Sequence, residues 1–315
     1  MAQTGTLQDR VITLFGGSGF VGAHVAQALL ARGARVRIAS RNPERALRLK
    51  PLANLGQIQF LRCDIRDEAA VAGALYQADA AVNLVGAFDG DLRALMGVAA
   101  GRIARLAAAG GARAMIHVSA IGADSDSESG YAQAKALGES QVLSAFPQAT
   151  VLRPSVVFGE EDTFINMFAG LIRMAPVLPV FGPDARLQPL LVGDLAEAIA
   201  RSLENPARHG GKIYELGGPE TVTMLELNQR IARAQGRTRQ FLPMPDAASA
   251  LFAALPGTPM GRDQWIMLKE GSVPSDQLPG FAAFGIEPRP LGLYLDRWME
   301  RYRKYGRFTN RAKMA

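Results

Sequence analysis

The feature that most constrains the fold is VITLFGGSGFVG, residues 11–22, in which an apolar run of β type leads through closely spaced glycines into a helical pattern. The glycines satisfy two related spacings, G-x-G-x-x-G and G-x-x-G-x-x-G. One glycine permits a tight turn, one lets a pyrophosphate approach the backbone, and one allows helix and strand to pack closely. The helix N-terminus then presents free N–H groups to an anion. The pattern predicts a dinucleotide-binding turn, with an ordinary glycine-rich loop as the alternative, formed by Gly16, Gly17, Ser18, Gly19, Phe20, Val21 and Gly22.

Length and composition restrict the class of protein. The 315 residues, of which 48% are hydrophobic, can bury a large core and predict one large domain with a smaller appendage. The polar N-terminal residues resemble neither a signal peptide nor a transit peptide, and no run reaches the roughly 18 to 20 apolar residues of a membrane span. We therefore expect a chain that stays in the cytoplasm or touches a membrane only from outside.

Charge and cysteine content narrow the class of partners. The net charge of +6 is spread along the chain, so an anionic cofactor and an acidic or membrane-side partner explain it, and no nucleic-acid partner is expected. The single cysteine, Cys63, excludes an intramolecular disulfide, and its place beside an apolar strand predicts a buried thiol rather than a nucleophile. Because His24, His117 and His209 lack metal-ligand spacing, no metal site is expected.

The order of strand-like and helix-like segments predicts an α/β fold, a Rossmann-type doubly wound parallel sheet with a smaller, irregular C-terminal substrate or partner region. Apolar strand patterns alternate with Ala-rich helical patterns through the first half, and frequent prolines break the chain into short pieces after Gly159. LLVGDLAEAIARSL and KIYELGG look like a helix and a strand that return to the main sheet. The predicted boundaries are 1–159 with 187–218 for the dinucleotide-binding domain, and 160–186 with 219–315 for the smaller region.

The end of the second predicted strand indicates which nicotinamide cofactor fits. An enzyme that selects NAD usually places a carboxylate there for the ribose 2′-hydroxyl, whereas NADP requires a cation for the 2′-phosphate. This chain has Ser40 and Arg41 at that place, with Arg37 and Arg45 close by. Guanidinium binds phosphate through charge-assisted hydrogen bonds. NADPH or NADP is therefore expected rather than NADH, unless these arginines only form a solvated face.

Ser119, Tyr131 and Lys135 form a second candidate group. Tyr131 and Lys135 are four residues apart, so they lie one turn apart on one face of the predicted helix. A nearby ammonium lowers the pKa of a phenol and allows it to act as a general acid or base, and a serine hydroxyl after the fifth strand can hydrogen-bond a carbonyl. These three residues are the predicted catalytic set.

With these motifs in place, the chain resembles the extended and atypical short-chain dehydrogenases/reductases, which are related to nucleotide-sugar epimerases. The resemblance rests on GGSGFVG, CDIRD, NLVG, VSAIGAD, YAQAK and LRPSVVFG, and covers nearly the whole length. It implies that Asp64 and Ile65 line the adenine, unless Asp64 only caps the next helix. It also implies that Ser119, Tyr131 and Lys135 contact the cofactor, Lys135 at the nicotinamide ribose, and that further contacts come from Leu84, Val85, Gly86, Pro154, Ser155 and Val156.

A narrower resemblance, carried by HVSAIGAD, LRPSVVFGEEDTFINMFAGL and LPVFGPDARLQPLLVGDLAEAI, is to the nucleotide-binding accessory subunits of respiratory complex I, the NADH:ubiquinone oxidoreductase, and their bacterial relatives. It implies tightly held NADPH without turnover, and partner subunits at the junction of the peripheral and membrane arms. The place implied is peripheral, on the cytoplasmic side of a bacterial inner membrane. Because the Ser, Tyr and Lys are all present, an active NADPH-dependent reductase or epimerase and a redox-sensing binding module stay open as alternatives.

The C-terminal tail, residues 297–313, interleaves cations with aromatic residues. This pattern suits contact with a membrane surface or a protein partner, whereas a solvated helix end is the simpler interpretation.

Overall fold

The computed structural model describes residues 7–254 and 261–303, which form two compact units. The first unit takes in the chain up to Pro154 together with Val192–Leu216 and Pro274–Glu287. The second takes in Ser155–Leu191, Gly217–Val273 and the chain from Pro288 onward. The division at Pro154 comes five residues before the boundary at 159 that the sequence pattern suggested, and residues 274–287 lie with the first unit rather than with the C-terminal region.

Strands and helices are numbered in chain order. The strands are β1 Val11–Phe15, β2 Arg35–Ser40, β3 Ile58–Arg62, β4 Ala80–Asn83, β5 Ala114–Val118, β6 Thr150–Pro154, β7 Val157–Phe158, β8 Val177–Val180, β9 Arg186–Leu187, β10 Leu190–Leu191, β11 Ile213–Leu216, β12 Val222–Thr223 and β13 Gln240–Pro243. The α-helices are α1 Phe20–Leu30, α2 Glu68–Leu75, α3 Ala99–Ala109, α4 Gly130–Ala145, α5 Phe164–Met174, α6 Val192–Glu204, α7 Pro206–His209, α8 Met224–Ala234, α9 Asp246–Ala254, α10 Arg262–Glu270 and α11 Gly292–Trp298.

The first unit is built on a seven-stranded parallel sheet in the order β3-β2-β1-β4-β5-β6-β11. The first six strands have the doubly wound order in which the chain starts in the middle and reverses direction across the sheet. This confirms the predicted Rossmann-type fold. After the second unit begins, α6 leads into β11, which pairs with β6.

The central strands form because their sequences are largely apolar, with one polar residue in each of β1, β4 and β5. All residues of β4 and β5 are buried, as are the last four of β1, which is typical of a parallel sheet covered by helices on both faces. The carboxyl ends of these strands and the loops that follow them meet at one edge of the sheet. In doubly wound sheets this edge is where ligands bind.

Helices α3 and α4 pack closely through glycines. A Cβ on Gly138 of α4 would lie 2.3 Å from the carbonyl oxygen of Met96, and a Cβ on Gly97 would lie 2.5 Å from Leu137 Cδ2. The segment Arg93–Val98 just before α3 is a π-helical turn, within a stretch whose pattern predicted a helix from residue 92 to residue 109. This close packing fixes α4, the helix that carries Tyr131 and Lys135.

The second unit has three two-stranded pairings, β7 with β10, β9 with β12, and β8 with β13. Its core joins α5, α8 and α11 through side chains such as Ile165, Ile172, Leu227, Ile231 and Leu295. Among the residues that the structure describes, no helix is long and apolar enough to cross a bilayer.

Candidate functional site

The glycine turn joins β1 to α1 through two close approaches of the backbone. Gly16 has a φ of +77°, and a Cβ there would lie 3.3 Å from the backbone of Leu84 and Val85, so the loops after β1 and β4 run side by side. A Cβ on Gly22 would lie 2.6 Å from the backbone of Gly17, which shows why helix and turn require glycine at both places. Gly19 is the N-cap of α1 and provides no side-chain acceptor for the first-turn N–H groups of Phe20 and Val21. The helix therefore presents polar backbone groups to an anion.

Ser18 and Ser40 join the glycine turn to the end of β2. Their hydroxyl oxygens are 2.8 Å apart, and Ser40 Oγ also accepts a hydrogen bond from the backbone N–H of Asn42 at 3.1 Å. Arg41 lies between Ser40 and Asn42 in the chain, so these hydrogen bonds place it next to the turn.

A cavity of about 530 Å³ lies at this edge of the sheet, lined by Arg41, Asn42, Arg62 and Asp64. Hydrogen bonds from Arg66 hold the pKa of Asp64 down at about 2, so its charge is largely satisfied by that neighbour. Arg62 was missed by sequence reasoning. The signal that could have found it is register, because Arg62 is the partner of Ser40 across the β2–β3 pairing.

Two alternatives from the sequence can be decided here. Asp67 is the N-cap of α2, through hydrogen bonds from Ala69 and Ala70, so the interpretation of Asp64 as that cap is wrong. Arg37 donates to the carbonyl oxygens of Ala74 and Tyr76 at the end of α2. It serves the sheet–helix contact and does not line the cavity.

The loop after β4 is tied to α4. Val85 donates its N–H to Asn83 Oδ1 at 3.2 Å, and its carbonyl oxygen accepts from Lys135 Nζ at 3.4 Å. A Cβ on Gly86 would lie 4.0 Å from Lys135 Nζ. Ile65, in the loop after β3, is buried, and its carbonyl oxygen accepts from Arg102 at 3.0 Å.

Lys135 of α4 joins Tyr131 to the end of β5, the strand that Ser119 follows. Lys135 Nζ donates to the carbonyl oxygen of Val118 at 3.1 Å and lies 5.7 Å from the centre of the Tyr131 ring. Burial lowers the pKa of Lys135 to about 8. Ser119 Oγ is buried and has no hydrogen-bond partner among the described residues. A buried hydroxyl without a partner is costly, so this oxygen is suited to a polar atom of a ligand.

Phe88 covers the tyrosine. Its ring stacks on that of Tyr131 with centroids 4.9 Å apart and planes 11° apart, while more than half of the phenylalanine is exposed. Tyr131 itself is 9% exposed. Sequence reasoning did not single out Phe88, because nothing in the loop AFDGD indicates which residue it contacts.

Behind these residues His117 is fully enclosed. Its Nδ1 is 3.1 Å from Asn83 Nδ2, and since Asn83 Oδ1 already accepts from Val85, the amide group donates to the imidazole. Burial and the nearby Lys135 lower the pKa of His117 to about 3. The histidine therefore serves as a neutral core residue.

Acid should destabilise the protein through this histidine. Because its folded pKa of about 3 lies below the ordinary value of 6.5, the unfolded chain takes up the proton first as the pH falls. The free energy of unfolding should fall by about 1.4 kcal/mol per pH unit between about pH 6 and pH 3, and this loss should be smaller in His117→Asn. Urea denaturation at a series of pH values measures it, and equal slopes in the two proteins would contradict it.

Arg153 at the end of β6 is a structural cation. Its guanidinium bonds both carboxylate oxygens of Glu139 at 2.9 and 2.7 Å and reaches Glu215 at 3.4 Å. Both glutamate side chains are less than 10% exposed. Next to it, the carbonyl oxygen of Pro154 accepts from the backbone N–H of Ile121 at 3.1 Å.

Ser155 and Val156 belong to the second unit. Ser155 Oγ donates to the carbonyl oxygen of Ser272 at 2.6 Å, and the carbonyl oxygen of Val156 accepts from Leu190 at 3.0 Å. Their contact with a nicotinamide stays a prediction.

Cys63 is buried, and burial raises the pKa of its thiol to about 11, which makes it a poor nucleophile.

No group of metal-ligating residues occurs within residues 7–254 and 261–303. The tail is described as far as Arg303, and its remaining cations, Lys304, Arg307, Arg311 and Lys313, lie outside the described residues.

Comparison with known proteins agrees with this geometry. The model of the NAD dependent epimerase/dehydratase family matches residues 12–217, which include the glycine turn, the Ser–Tyr–Lys group and the returning strand β11. This chain belongs to that family. The NAD dependent epimerase/dehydratase family is one of nucleotide-cofactor-binding proteins, so a dinucleotide cofactor is the class of ligand for the first unit.

Two curated relatives cover most of the chain. Both are named NADH dehydrogenase [ubiquinone] 1 alpha subcomplex subunit 9, mitochondrial. The protein of Arabidopsis thaliana is 31% identical over 94% of this chain and 79% of its own length. The protein of Mus musculus is 30% identical over 94% of this chain and 81% of its own length. Among solved structures, the NADPH-dependent quinone oxidoreductase of Escherichia coli in complex with NADPH superposes with a TM-score of 0.73 at 21% identity, over 91% of this chain and 99% of the other. At that identity the structural match supports the epimerase/dehydratase fold.

Proposed function

We propose that this protein is an accessory subunit of respiratory complex I that holds NADPH tightly and does not turn it over. The observation that carries the proposal is similarity along the chain: relatives named as subunits of NADH dehydrogenase, from a plant and a mammal, align with 94% of it. That length extends into the later segments of the second unit, whereas the family model ends at residue 217 and covers only the first segment of that unit, Ser155–Leu191, together with Gly217. The likeness is therefore not limited to a cofactor fold that many enzymes share.

The first unit fits a dinucleotide. Its glycines leave a cradle that a Cβ would fill, the N-terminus of α1 has no side-chain cap, and Ser119 presents a buried hydroxyl without a partner among the described residues. When bound, a nicotinamide cofactor supplies or accepts a hydride. The residues that would hold it here are those of the glycine turn and Ser40, Arg41, Asp64, Ile65, Leu84, Val85, Gly86, Ser119, Tyr131, Lys135 and Pro154.

NADPH rather than NADH is favoured by the cations around the cavity at the ends of β2 and β3. Arg41 and Arg62 line it, and the one carboxylate there, Asp64, is already paired with Arg66. A 2′-phosphate in this cavity would meet two guanidinium groups, which bind phosphate through charge-assisted hydrogen bonds.

Arg41→Glu should weaken NADPH binding much more than NADH binding, because a carboxylate at residue 41 repels the 2′-phosphate that only NADPH carries. We expect a loss of about tenfold or more for NADPH and about twofold or less for NADH, measured by isothermal titration calorimetry. Arg45→Glu is the matched control, since Arg45 is also an exposed arginine but does not line the cavity. If Arg41→Glu weakened the binding of NADPH and NADH equally, the 2′-phosphate would not bind in this cavity.

Lack of turnover is supported by what surrounds Tyr131. Phe88 stacks on its ring, and Lys135 is buried with its donors directed to two backbone carbonyl oxygens. In this arrangement Tyr131 and Lys135 are suited to hold a ribose. An active reductase or epimerase would instead use Tyr131 to move a proton, and turnover lost in Tyr131→Phe would favour that alternative. A partner that dissociates when the bound cofactor is oxidised would favour a redox-sensing module.

The proposed place is peripheral, on the cytoplasmic side of a bacterial inner membrane, at the junction of the two arms of the complex. The test is to tag the chain in its host, solubilise the membranes gently and separate the complexes on a native gel. Co-migration with NADH:quinone oxidoreductase activity, with NADPH recovered from the band, is the expected result. Migration only as a small species would overturn the proposal and lead to a search for a substrate.

A further inference from the structure

Helix α5 of the second unit is apolar on two sides. Its buried side, with Ile165 and Ile172, faces the core of the unit. Met167, Leu171 and Met174 follow each other at the spacing i, i+4, i+7, so they form one stripe, and they are 39%, 41% and 78% exposed. We call these three residues the α5 stripe. An exposed stripe of this kind on a helix that is already anchored by its other face indicates an interaction surface.

The apolar surface continues into the small sheet of β8 and β13. Val177 follows the stripe by three residues and pairs with Gln240, and Pro179 pairs with Leu242. These four residues are exposed, whereas Leu178 and Val180, which alternate with Val177 and Pro179 along β8, are buried. The four exposed residues therefore share the outer face of this sheet. In the described chain, four of the thirteen exposed large apolar side chains fall between residues 167 and 177. The exposure is concentrated here and is not scattered.

Helix α5 and strand β8 carry one charge between them, and it is positive. From residue 163 to residue 183 the chain has no acidic residue, and its single ionisable side chain is the exposed Arg173. The acidic residues before α5, Glu160, Glu161 and Asp162, precede the other end of the helix.

The C-terminal tail starts beside the same helix. Tyr302 donates its hydroxyl to Asn166 Oδ1 at 2.8 Å, and the guanidinium of Arg173 lies 5.9 Å from the centre of the Tyr302 ring. Asn166 and Arg173 are seven residues apart, so they lie on one face of α5, next to the α5 stripe. From Arg303 to the last residue the sequence contains five cations and no acid. Exposed apolar side chains flanked by arginine are typical of a surface that binds the interface of an anionic bilayer.

We infer that the α5 stripe, with the outer face of β8 and β13, docks the protein onto an anionic lipid bilayer. The apolar side chains enter the boundary between headgroups and acyl chains, and the exposed Arg173 attracts the lipid phosphates. The inference deepens the proposed function and rests on it only in that the complex brings this chain to a membrane.

The test uses the full-length protein with its bound nucleotide and flotation of vesicles. The expected result is that the protein floats with vesicles of phosphatidylcholine containing about one-third phosphatidylglycerol, at least about tenfold more than with phosphatidylcholine alone, and less as salt is raised. The variant Met167→Gln/Leu171→Gln/Met174→Gln should lose at least about tenfold of this binding while it keeps its circular dichroism and its affinity for NADPH. The matched control is Leu47→Gln/Leu52→Gln/Leu55→Gln, which replaces three exposed apolar residues of the first unit.

Two results would overturn the inference. One is a wild-type protein that does not float with the anionic vesicles, and the other is a stripe variant that floats as well as the wild type. If that variant floats normally but no longer co-migrates with the respiratory complex, the stripe docks onto a protein subunit instead. A protein that floats through the stripe but never co-migrates with the complex would leave this inference standing and would overturn the proposed function, so the two failures are distinguishable.

Discussion

Replacement of Arg153 by methionine should lower the free energy of unfolding by about 3 to 5 kcal/mol, because it leaves two buried carboxylates without their cation. Arg153 makes two hydrogen bonds to Glu139 and one to Glu215, and both glutamates are less than 10% exposed. Glu215 lies on β11, so the variant should also loosen the attachment of the last strand of the sheet. Urea denaturation at neutral pH measures the change.

Arg230→Met is the matched control. Arg230 also pairs with two glutamates, Glu220 and Glu226, but these are 29% and 39% exposed, so its loss should cost about 1 kcal/mol. The double variant Arg153→Met/Glu139→Gln should recover part of the loss, since it removes one of the unpaired charges. Equal destabilisation by the two arginine variants would show that burial of the carboxylates does not set the cost.

Gly22→Ala should have the largest effect on cofactor binding. The new methyl group would lie 2.6 Å from the backbone of Gly17, so either α1 moves away from the sheet or the turn opens. Overpacking of this kind costs about 1 to 3 kcal/mol, and because the turn is also the phosphate site, we expect the affinity for NADPH to fall by about tenfold or more. Calorimetric titration with NADPH, together with thermal unfolding, measures both effects.

Gly73→Ala controls for the change of glycine to alanine in a helix. Gly73 lies in α2, and no atom outside its own helix backbone and chain neighbours lies within 4 Å of a Cβ built there. This variant should keep its affinity for NADPH and gain up to about 1 kcal/mol of stability, since alanine favours the helix. If Gly22→Ala binds NADPH as well as Gly73→Ala does, the turn does not hold the phosphates as we propose.

Features that depend on local spacing could be predicted from the sequence. The strand–turn–helix around Gly17 and Gly22 and the shared face of Tyr131 and Lys135 follow from the periods of the strand and the helix alone. The returning strand β11 was also predictable, because KIYELGG keeps an apolar strand pattern among broken segments.

Features that depend on register or on contacts between distant loops could not be predicted. Arg62 reaches the cavity only because β3 pairs with β2 in a register that places it beside Ser40. Phe88, in the loop after β4, stacks on Tyr131 of α4, 43 residues further along the chain, because of how that loop folds back over the helix. Asp64 and Asp67 are both suited to cap α2, and Asp67 is the cap because the helix begins at Glu68.

For Arg62 and Phe88, the deciding quantity is a distance in space that the spacing in the sequence does not contain.

The interleaving of the two units also determines when the protein can fold during its synthesis. The sheet lacks its last strand, β11, until residue 216 has left the ribosome, and the first unit lacks its final segment until residue 287 has done so. At about 5 to 20 residues per second, the stretch from Pro154 to Leu216, the end of β11, takes about 3 to 12 s to translate. During that time β6 is an open edge of a parallel sheet, which invites pairing with other chains. We therefore expect a nascent chain that depends on chaperones and a gene that cannot be shortened to its first 154 codons without aggregation of the product.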